Sequence, residues 1–595
     1  MIRKYLLTCL FFGGFLLVGM SQVPNVNAFK AALTTFQVDN DKEYLPLKEL
    51  DQKKIAFVES QGYQFRDALK YLKKYTVITA VNSTDDLSAF DELIIGLPAN
   101  LDMLSITKQA QIELLTESYP STLLFFGEPA ARSTVFKHAK AVIQAEDNAA
   151  GQALAAQYVF GGIGTDLSWS TGTRLGYAPP ALLDMNGQLL KDSIKAIVEH
   201  GLEAKAYPGA QVLVAHKGTV VYHEAFGYHT YDSLREVAKE DIYDLASVTK
   251  VSSALAALMK WHGEGELDLD GSLADYYPDF SKSNKAALSL RQMLAHNARL
   301  KSWIPYWQAT LKKQAKYPWR KGWTSDRIND YRFRRKTLSV DSSADYSIYL
   351  SKGLYQHQDY RQQMMKSIKK SPLNEGPGYV YSGLLFYLLP EIVATKAGMD
   401  YERYLKETFY QPLGANTITF NPLRFHTKDE IIPTERDTFF RMTQIHGYVH
   451  DEGAAMMGGV SANAGLFSNA NDLAKLFQMY LNYGEYGGER YIAAESVQEF
   501  ARCQYCEEEN RRGLGFDKPL ITYDAASSSV AEAASSASFG HSGYTGTFVW
   551  VDPETDLLFI FLSNRVYPTR LNRQLYELNI RPRIHKVIYD ALGSK

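Results

Sequence analysis

The chain has 595 residues, and at roughly 100–200 residues per domain this length predicts two or three domains. Hydrophobic residues make up 46% and charged residues 22%, which is typical of a globular protein and not of a disordered or fibrous one. The 64 basic and 66 acidic residues give a net charge of −2, so neither a nucleic acid nor an anionic membrane is an expected partner.

The first 28 residues differ from the rest of the chain. Basic residues at the start precede an apolar run from Tyr5 to about Met20, and small residues follow up to Ala28. This pattern predicts a secretory signal peptide, residues 1–28, cleaved after Ala28, although an uncleaved membrane anchor remains the alternative. Because no later segment holds ~18 continuous apolar residues, we expect the exported mature chain to be soluble.

Residues 29–165 alternate between strand and helix patterns. Strand-like runs are "KKIAFVES", "DELIIGL" and "STLLFFG", and the helical segments between them are "GYQFRDALKYLKKY" and "ITKQAQIELLTESY". Such alternation predicts an α/β layer structure with a parallel sheet. Residues 166–185 are rich in Gly, Pro, Ser and Thr, and they are interpreted as a linker.

Residues 186–595 form a second block with strands near both of its ends. It opens with the helical "LLKDSIKAIVEHGLEA" and a hairpin of "GAQVLVAHKG" and "VVYHEAFGYH". After a helical middle, "GTFVWVDPETDLLFIFLSNR" predicts two strands joined by a turn, and "RIHKVIYDALG" predicts a last helix. We therefore expect one mixed sheet built from both ends of the block. The Ser- and Ala-rich residues 526–538 are expected to form a mobile loop.

A basic insert lies within the helical middle, at residues 312–336. It holds ten basic residues against two acidic ones, interleaved with aromatic residues that include Trp319, Trp323 and Tyr331. Two interpretations remain open. The insert is either a solvated surface excursion or a wall that binds an anionic or sugar-containing substrate, with Trp319 and Trp323 as substrate contacts.

Two clusters raise the question of a metal site. Cys503 and Cys506, in "CQYC", are the cysteines that remain after the signal peptide, and a structural zinc site would need two further ligands. An incidental pair or a local disulfide remains open. His446 and His450, in "HGYVHDEG", would share a face if helical, but a third ligand is missing. We expect no metal and no cofactor.

The segment "DLASVTK" raises the central question of the sequence, because Ser247 precedes Lys250 by three residues at the start of an apolar helix pattern. A serine hydroxyl needs a neighbouring base to act as a nucleophile, and residues i and i+3 share a helix face. A positive field at the helix N-terminus would favour a developing alkoxide. The alternative is a capping serine with a surface lysine. Two later segments, "GYVYSGLLFYLL" with Tyr381 and "FGHSGYTGTFVWVDPE" with His541, favour the nucleophile.

With these segments in place, residues 186–595 resemble the serine β-lactamase and penicillin-binding superfamily, in its class C-like branch. The similar segments are "PGAQVLVAHKG", "YDLASVTKV", "GELDLDG", "VHDEGAA", "NAGLFS", "GLGFDKP", "GHSGYTGT" and "FLSNRVYP". The resemblance implies an α+β domain with a mixed antiparallel sheet flanked by helices, plus an all-helical subdomain. It implies Ser247 as the acylated nucleophile, Lys250 as its proton acceptor, and Tyr381 as general acid/base near the leaving group. His541 stands where many relatives have lysine.

The resemblance also implies an oxyanion hole made by the backbone N–H groups of Ser247 and Tyr544, with Ser542 and Gly543 in substrate binding. Two positions depart from the family pattern. Gly383 stands where relatives carry Asn or Asp after the tyrosine, which puts the rate or specificity in doubt. The segment "LAHNARL" replaces H-x-S-G-L, so His296 is expected to be structural.

Residues 29–165 resemble the C-terminal α/β sandwich domain of family 3 glycosidases, of the β-N-acetylhexosaminidase type. The similar segments are "KKIAFVES", "DELIIGL", "STLLFFGEPAA", "AEDNAAGQALAAQYVFGG" and "GTRLGYAPP". The catalytic barrel that precedes this domain in the family is absent from the sequence, so we expect no glycosidase activity. The resemblance leaves a scaffold or a sugar-binding platform.

The combination resembles peptidoglycan-recycling proteins, and function is inferred here only by analogy. It predicts a serine hydrolase that cuts the N-acetylmuramoyl–L-alanine amide of muropeptides through an acyl-enzyme, in the periplasm or outside the cell. A β-lactamase, an esterase or a D,D-carboxypeptidase on the same residues remains an alternative. A non-catalytic muropeptide-binding protein is the alternative from another class.

Overall fold

The computed structural model describes residues 25–40, 43–59, 64–128, 136–312 and 331–593. Most of the predicted signal peptide lies outside these residues, as do Trp319 and Trp323 of the basic insert. The predicted cleavage site at Ala28 falls in the first turn of a helix. Among the described residues, no helix is long and apolar enough to cross a bilayer.

The N-terminal part is a six-stranded sheet with helices on both faces. Its strands are β1 Gln37–Asn40, β2 Ile55–Glu59, β3 Ile78–Asn82, β4 Glu92–Pro98, β5 Ser121–Phe126 and β6 Ala141–Ala145, and its helices are α1 Val26–Thr35, α2 Arg66–Leu72, α3 Ile106–Ser118 and α4 Ala149–Phe160. The strand order is β1-β6-β5-β4-β2-β3. The pairs among β2–β6 are parallel, and β1 is an antiparallel edge strand.

Alternate residues of the N-terminal strands enter two different cores. Phe57 of β2 packs into the core shared with α1, α2 and α4, whereas its neighbour Val58 packs with Ile112 of α3. Successive side chains of a strand point to opposite faces, so a strand covered on both sides must be apolar throughout. This explains the continuous apolar runs from which the sequence predicts these strands.

The segment 166–185, interpreted as a linker, connects the two parts but is packed between them. Gly176–Tyr177 forms strand β7, which pairs in parallel with a strand of the second sheet. The backbone N–H of Tyr177 donates to Gln157 Oε1 of α4 at 2.6 Å, and its hydroxyl donates to Asn471 Oδ1 at 2.6 Å. The segment interpreted as a linker is therefore packed against both parts.

The second part contains the remaining elements. In chain order they are α5 Gly187–Glu203, β8 Gly209–His216, β9 Thr219–Gly227, β10 Tyr243–Asp244, α6 Val248–Ser252, α7 Ala254–Gly263, α8 Leu273–Tyr276, α9 Leu290–Leu294, α10 Tyr306–Ala309, β11 Leu338–Ser339, β12 Ile348–Ser351, β13 Leu354–Gln356, α11 Tyr360–Lys370, α12 Leu384–Ala397, α13 Tyr401–Leu405, β14 Thr419–Phe420, β15 Glu435–Asp437, β16 Thr443–Ile445, α14 Glu452–Met456, β17 Leu466–Ser468, α15 Ala470–Leu481, β18 Glu485–Tyr486, β19 Glu489–Arg490, α16 Ala494–Ala501, β20 Phe539–Ser542, β21 Phe548–Asp552, β22 Leu557–Ser563, α17 Gln574–Glu577 and α18 Ile580–Asp590.

The main sheet of the second part has the strand order β20-β21-β22-β8-β9-β7. The hairpin β8–β9 from the start of the block pairs with β22 from its end, and all pairs except β7–β9 are antiparallel. The predicted mixed sheet, built from both ends of the block, is confirmed. Helix α5 packs against β9 and α18, and α15 packs against β8 and β22.

One expectation for the second part is wrong. The middle is not all-helical, because small sheets of two to three short strands, such as β10-β17-β14 and β11-β13-β12, lie among its helices. The Ser- and Ala-rich residues 526–538 form a loop that is partly buried, and its expected mobility stays a prediction. Val530 and Ser538 are buried, and Ser535 Oγ donates to Asp552 Oδ1 at 2.6 Å. Small side chains allow this segment to pack closely beside the main sheet.

Candidate active site

Ser247 is presented by a tight turn between β10 and α6. The preceding Ala246 has φ +46°, a left-handed conformation that is uncommon for a residue with a side chain. Asp244 Oδ1 accepts the N–H of Ala246 at 2.8 Å. Thr545 Oγ1 donates to the carbonyl of Asp244 at 2.8 Å, and Thr547 Oγ1 donates to the next carbonyl at 2.9 Å. The segment after β20 therefore holds the turn in its strained shape.

Ser247 and Lys250 are in direct contact. Lys250 Nζ donates to Ser247 Oγ at 3.0 Å and to the carbonyl oxygen of Asn463 at 2.8 Å, and the lysine is 2% exposed. Although Ser247 occupies the N-cap position of α6, its hydroxyl makes no capping hydrogen bond. The alternative of a capping serine with a surface lysine is wrong, since the lysine is buried and the serine is its partner.

Tyr381 and His541 lie beside this pair. Lys250 Nζ is 5.4 Å from the centroid of the Tyr381 ring, and the rings of Tyr381 and His541 are 6.1 Å apart. Tyr381 precedes α12, and His541 lies on β20. The structure thus brings together the four residues that the sequence singles out, from three separate elements. Their catalytic roles remain predictions.

His541 is buried and neutral. Its Nδ1 lies 2.7 Å from the carbonyl oxygen of Ser542, so Nδ1 carries the hydrogen and donates it. Burial lowers the pKa of His541 to about 3, with further lowering by Arg512 and Lys250 that outweighs the opposite effect of Asp517. The other nitrogen, Nε2, is then an acceptor. Consequently His541 does not supply the positive charge of the lysine that many relatives carry there.

Gly543, next to the predicted oxyanion hole, is closely surrounded by other atoms. Among the described residues, the N–H groups of Ser247 and Tyr544 donate no hydrogen bond to another main-chain group. A Cβ at Gly543 would lie 2.0 Å from Thr547 Oγ1 and 2.6 Å from the carbonyl oxygen of Leu245, so only glycine fits. Ser542 is half-buried and Tyr544 is exposed. The predicted oxyanion hole stays a prediction, and these contacts are compatible with it.

Gly383 leaves a gap that Asn463 borders. A Cβ at Gly383 would meet only Asn463 Cβ, at 3.9 Å, within 4 Å among the described residues. Asn463 Nδ2 donates to Tyr387 Oη at 3.2 Å and to Asp451 Oδ1 at 3.1 Å, which fixes the loop whose carbonyl holds Lys250. The side chain that the resemblance leads us to expect at position 383 is therefore missing, but Lys250 remains anchored through Asn463.

His296 supports the segment that carries Tyr381. Its Nδ1 accepts the N–H of Ser382 at 3.2 Å, its carbonyl accepts the N–H of Val380 at 3.0 Å, and its ring lies 4.6 Å from that of Tyr381. Burial lowers its pKa well below the usual value, assisted by Arg512. These contacts agree with the expected structural role.

Arg512 lies at this site although the sequence analysis did not predict it there. Arg512 is 6% exposed, and its guanidinium carbon lies 5.3 Å from the centroid of the Tyr381 ring. Burial alone would lower its pKa, but Asp517, Tyr379 and Tyr381 together more than compensate and the pKa is raised. Its position next to "GLGFDKP" is the one signal in the sequence, and nothing in that pattern distinguishes it from its neighbour Arg511.

The two clusters considered for metal binding have other partners. His450 Nε2 lies 2.8 Å from Glu435 Oε2, and His446 Nε2 lies 2.8 Å from the carbonyl oxygen of Ile431. Within the part of the chain that the structure describes, no group of three or more His, Cys, Asp and Glu side chains could hold a metal ion. Cys503 and Cys506 form a disulfide, which is one of the alternatives left open by the sequence.

Comparison with known proteins places the second part in a family. The beta-lactamase family model matches residues 194–580. A protein of Escherichia coli O157:H7 named "Putative D-alanyl-D-alanine carboxypeptidase" is 31% identical over 381 residues, covering 60% of this chain and 79% of that protein. A protein of the same name from Salmonella agona (strain SL483) is 30% identical over 387 residues, with the same coverage of 60% and 79%.

Among solved structures, a penicillin-binding protein homologue from Caulobacter crescentus aligns with 68% of this chain and 98% of that chain, at TM-score 0.47 and 16% identity. The family match begins at residue 194, after the N-terminal sheet. The resemblance of residues 29–165 to a glycosidase domain therefore stays a prediction.

Proposed function

This chain belongs to the beta-lactamase family of serine hydrolases, and we propose from that premise that it hydrolyses an amide or ester through an acyl-enzyme on Ser247. The observation that carries the proposal is the 3.0 Å contact between the buried Lys250 Nζ and Ser247 Oγ. A serine hydroxyl beside a buried base, itself held in place by a third group, is the arrangement that activates such a nucleophile. The third group here is the carbonyl of Asn463.

The proposed reaction has two steps. Ser247 Oγ attacks the substrate carbonyl carbon while its proton passes to Lys250, and the oxyanion is stabilised by the N–H groups of Ser247 and Tyr544. The bond to the leaving group then breaks, and the proton taken up by Lys250 passes by way of the Tyr381 hydroxyl to the leaving group. In the second step a water attacks the acyl carbon, gives up a proton through Tyr381, and releases the acid with Ser247 reprotonated.

We propose a muropeptide as the substrate, cut at the N-acetylmuramoyl–L-alanine amide. This choice is supported by the sequence segments that lead us to expect a resemblance to peptidoglycan-recycling proteins. The second candidate is removal of a terminal D-alanine. The name of the relatives from Escherichia coli and Salmonella, which are 31% and 30% identical to this chain, supports it.

One substrate distinguishes the two candidates. Purified protein is incubated with N-acetylmuramoyl-L-alanyl-D-glutamyl-L-lysyl-D-alanyl-D-alanine, and the products are followed by mass spectrometry. Free N-acetylmuramic acid with intact pentapeptide supports the amidase. The muramyl tetrapeptide with free D-alanine supports the carboxypeptidase.

Ser247→Ala tests the nucleophile, with Ser252→Ala as a matched control. Ser252 lies on the same short helix, is fully buried, and its Oγ has no hydrogen-bond partner among the described residues. We expect Ser247→Ala to lose at least about 1,000-fold in kcat, because general-base activation and covalent catalysis are both lost. Ser252→Ala should keep its activity. Turnover that persists in Ser247→Ala would exclude the acyl-enzyme on this serine.

A serine-directed fluorophosphonate probe separates an enzyme from a binding protein. The enzyme predicts a covalent adduct on Ser247, seen by peptide mass spectrometry, that is absent from Ser247→Ala. If the protein binds the muropeptide without turnover and without labelling, the non-catalytic alternative is favoured.

A further inference from the structure

A cavity of about 550 Å³ lies beside Phe539, the first residue of β20. None of the four predicted catalytic residues lines it. The disulfide of Cys503 and Cys506 lines one side of the cavity, and residues 518–521 line another. A volume of this size can hold a small organic molecule. The cavity is thus a candidate binding site that is separate from the Ser247 site.

The lining of this cavity combines an apolar surface with positive charge. Its apolar residues include Ala501, Pro519, Leu520, Ile521, Phe539 and Pro553. Its charged residues are Arg502, Arg511 and Lys518, and none of the described Asp or Glu residues lines it. Ile521 is 55% exposed, so part of the apolar surface faces solvent. This composition suits a ligand with an apolar body and one anionic group.

The two arginines in the lining already have carboxylate partners. Arg502 pairs with Glu499, and Arg511 Nε lies 2.9 Å from Asp517 Oδ1. An ion pair of this kind offsets much of the positive charge that an anionic ligand would otherwise meet. The attraction of the cavity for an anion therefore depends mainly on Lys518.

Lys518 has no carboxylate bound to its ammonium group among the described residues. Its Nζ donates to the carbonyl oxygens of Ser538 at 3.1 Å and Ala537 at 3.4 Å. An ammonium group has three N–H donors, so one of them has no acceptor in the described part of the chain. Burial lowers the pKa of Lys518 to about 8, against the opposite effect of Asp552 and Asp517, so the amine is mostly protonated at pH 7. An anion in the cavity would accept the third hydrogen.

Main-chain contacts hold Lys518 in place beside the cavity. The N–H of Asp517 donates to the carbonyl of Gly540 at 2.8 Å, and the N–H of Gly540 donates back to the carbonyl of Asp517 at 3.0 Å. The N–H of Lys518 itself donates to Asp517 Oδ1 at 3.0 Å. The cation is thus positioned before any ligand binds, which lowers the entropic cost of binding.

We propose that this cavity binds a small organic anion with an apolar body, held by Lys518 and by the apolar residues around Phe539. The anionic group, a carboxylate or a phosphate, accepts the third N–H of Lys518, and the apolar body packs on Leu520 and Ile521. This site goes beyond the proposed function and does not depend on it, since none of the predicted catalytic residues lines the cavity.

Calorimetry at pH 7 tests the ligand class with four probes. The anionic probes are 2-naphthoate and 1-naphthyl phosphate, 2-naphthamide is the neutral probe, and acetate is an anion without an apolar body. We expect at least one naphthyl anion to bind about 10-fold or more tightly than 2-naphthamide, because a charge-assisted hydrogen bond contributes that much. Acetate should bind more weakly than 2-naphthoate. The tighter of the two naphthyl anions identifies the anionic group.

Lys518→Met tests the cation, and Lys285→Met is the matched control. Lys285 is buried as well, its Nζ donates to the carbonyl of Ser371 at 2.6 Å, and burial lowers its pKa to about 8. It does not line the cavity. Lys518→Met should reduce the preference for the anion over 2-naphthamide to less than about 3-fold, and Lys285→Met should leave it unchanged.

Ile521→Glu tests the apolar surface independently. Because Ile521 is exposed, this variant should fold, and its added carboxylate should weaken the binding of the naphthyl anion by about 10-fold or more. If Lys518→Met fails to fold, as judged by circular dichroism, Ile521→Glu decides alone. The proposal is overturned if neither naphthyl anion shows saturable binding below about 1 mM, or if Ile521→Glu binds it unchanged. It is also overturned if the preference survives Lys518→Met or is lost equally in Lys285→Met, since the anion would then bind elsewhere.

Discussion

At the scale of single residues, Gly383 has room for a Cβ and Gly543 has none, although both lie near Ser247. Gly383 has φ −86° and ψ −5°, a conformation open to any L-residue, and among the described residues beyond its chain neighbours a Cβ there would meet no atom closer than 3.9 Å. We predict that Gly383→Ala unfolds at the same or a slightly higher denaturant concentration, since it restricts the unfolded chain by about 0.4–1 kcal/mol. Equilibrium urea unfolding measures this change.

Gly543→Ala is the contrasting variant. Its Cβ would lie 2.0 Å from Thr547 Oγ1, in the segment that holds the turn before Ser247. We predict a loss of about 100-fold or more in kcat/KM, because a shift of about 1 Å at the nucleophile has that effect. Full activity of Gly543→Ala, or marked destabilisation by Gly383→Ala, would contradict this account of the site.

The low pKa of His541 predicts how the activity depends on pH. Because its pKa is lowered to about 3, the imidazole stays neutral between pH 5 and 8. The pH profile of kcat/KM for a neutral ester should therefore show no inflection from His541 in that range. An acid inflection near pH 6.5 that disappears in His541→Gln would contradict it.

The same pKa shift has a consequence for stability. The unfolded chain binds a proton on His541 below about pH 6.5 and the folded protein does not, so the free energy of unfolding falls as the pH drops from about 6.5 towards 3. The kcat/KM values must therefore be measured only at pH values at which circular dichroism shows the protein to be folded.

The sequence predicts Ser247, Lys250, Tyr381 and His541 because each lies in a short local motif. Arg512 could not be predicted in this way, since its neighbour Arg511 has the same charge and only packing directs one of them towards Tyr381. The backbone carbonyl of Asn463 accepts a hydrogen bond from Lys250, which lies 213 positions earlier in the chain. A contact to a backbone carbonyl leaves no motif in the sequence. The charge state of His541 likewise depends on burial, which the motif alone does not reveal.

At the scale of elements, the disulfide of Cys503 and Cys506 lies next to the segment that carries Arg512. It closes a ring between Cys503 and Cys506, and Cys503 Sγ lies 3.4 Å from the carbonyl oxygen of the buried Asn510. We predict that reduction lowers the free energy of unfolding by about 2 kcal/mol, as expected for so short a ring. Urea unfolding with and without dithiothreitol measures this loss.

The double variant Cys503→Ser, Cys506→Ser provides the control. It should match the reduced wild-type protein and should not respond to dithiothreitol. If reduction leaves the urea midpoint unchanged, the disulfide does not stabilise this segment.

Long elements are predicted well from the sequence, and short ones are not. The runs that became β2, β4, β5, β8, β9, β21 and β22 are five to nine residues long and apolar or alternating. Strands such as β10, β14 and β17 have only two or three residues, too few to show a period. They form because the tertiary fold brings Asp244 of β10 and Phe420 of β14 beside β17. The predicted helix after Ser247 is interrupted at Ser253, where φ is −129° and ψ is −104°.

At the scale of the whole molecule, the two parts share one continuous hydrophobic core. Tyr75, from the N-terminal part, is 1% exposed, and its hydroxyl donates to the carbonyl of Leu175 at 2.9 Å. Lys475 of α15 is buried and donates to carbonyl oxygens on both sides, at Tyr75 (3.3 Å) and Gly414 (2.6 Å). The buried amine of Lys475 thus ties the N-terminal part to α15, which packs against the main sheet of the second part.

The shared core predicts that the two parts unfold together. Calorimetry should show a single transition, and Tyr75→Ala should lower its midpoint, because removing a large buried aromatic side chain costs about 3–5 kcal/mol. Met103→Ala is the control on the same part, since Met103 is 58% exposed and should change the stability by less than about 0.5 kcal/mol.

Two separate transitions, of which Tyr75→Ala shifts only one, would show that the parts fold independently. A single transition that Tyr75→Ala shifts, with loss of Ser247-dependent hydrolysis at the same temperature, would mean that the stability of the main sheet of the second part depends on the N-terminal part. Residues 29–165 would then act as a scaffold for the hydrolase whether or not they also bind a sugar. The sequence predicts this sheet from its own pattern, but the dependence arises from buried contacts such as Tyr75 with Tyr177, whose rings lie 5.8 Å apart.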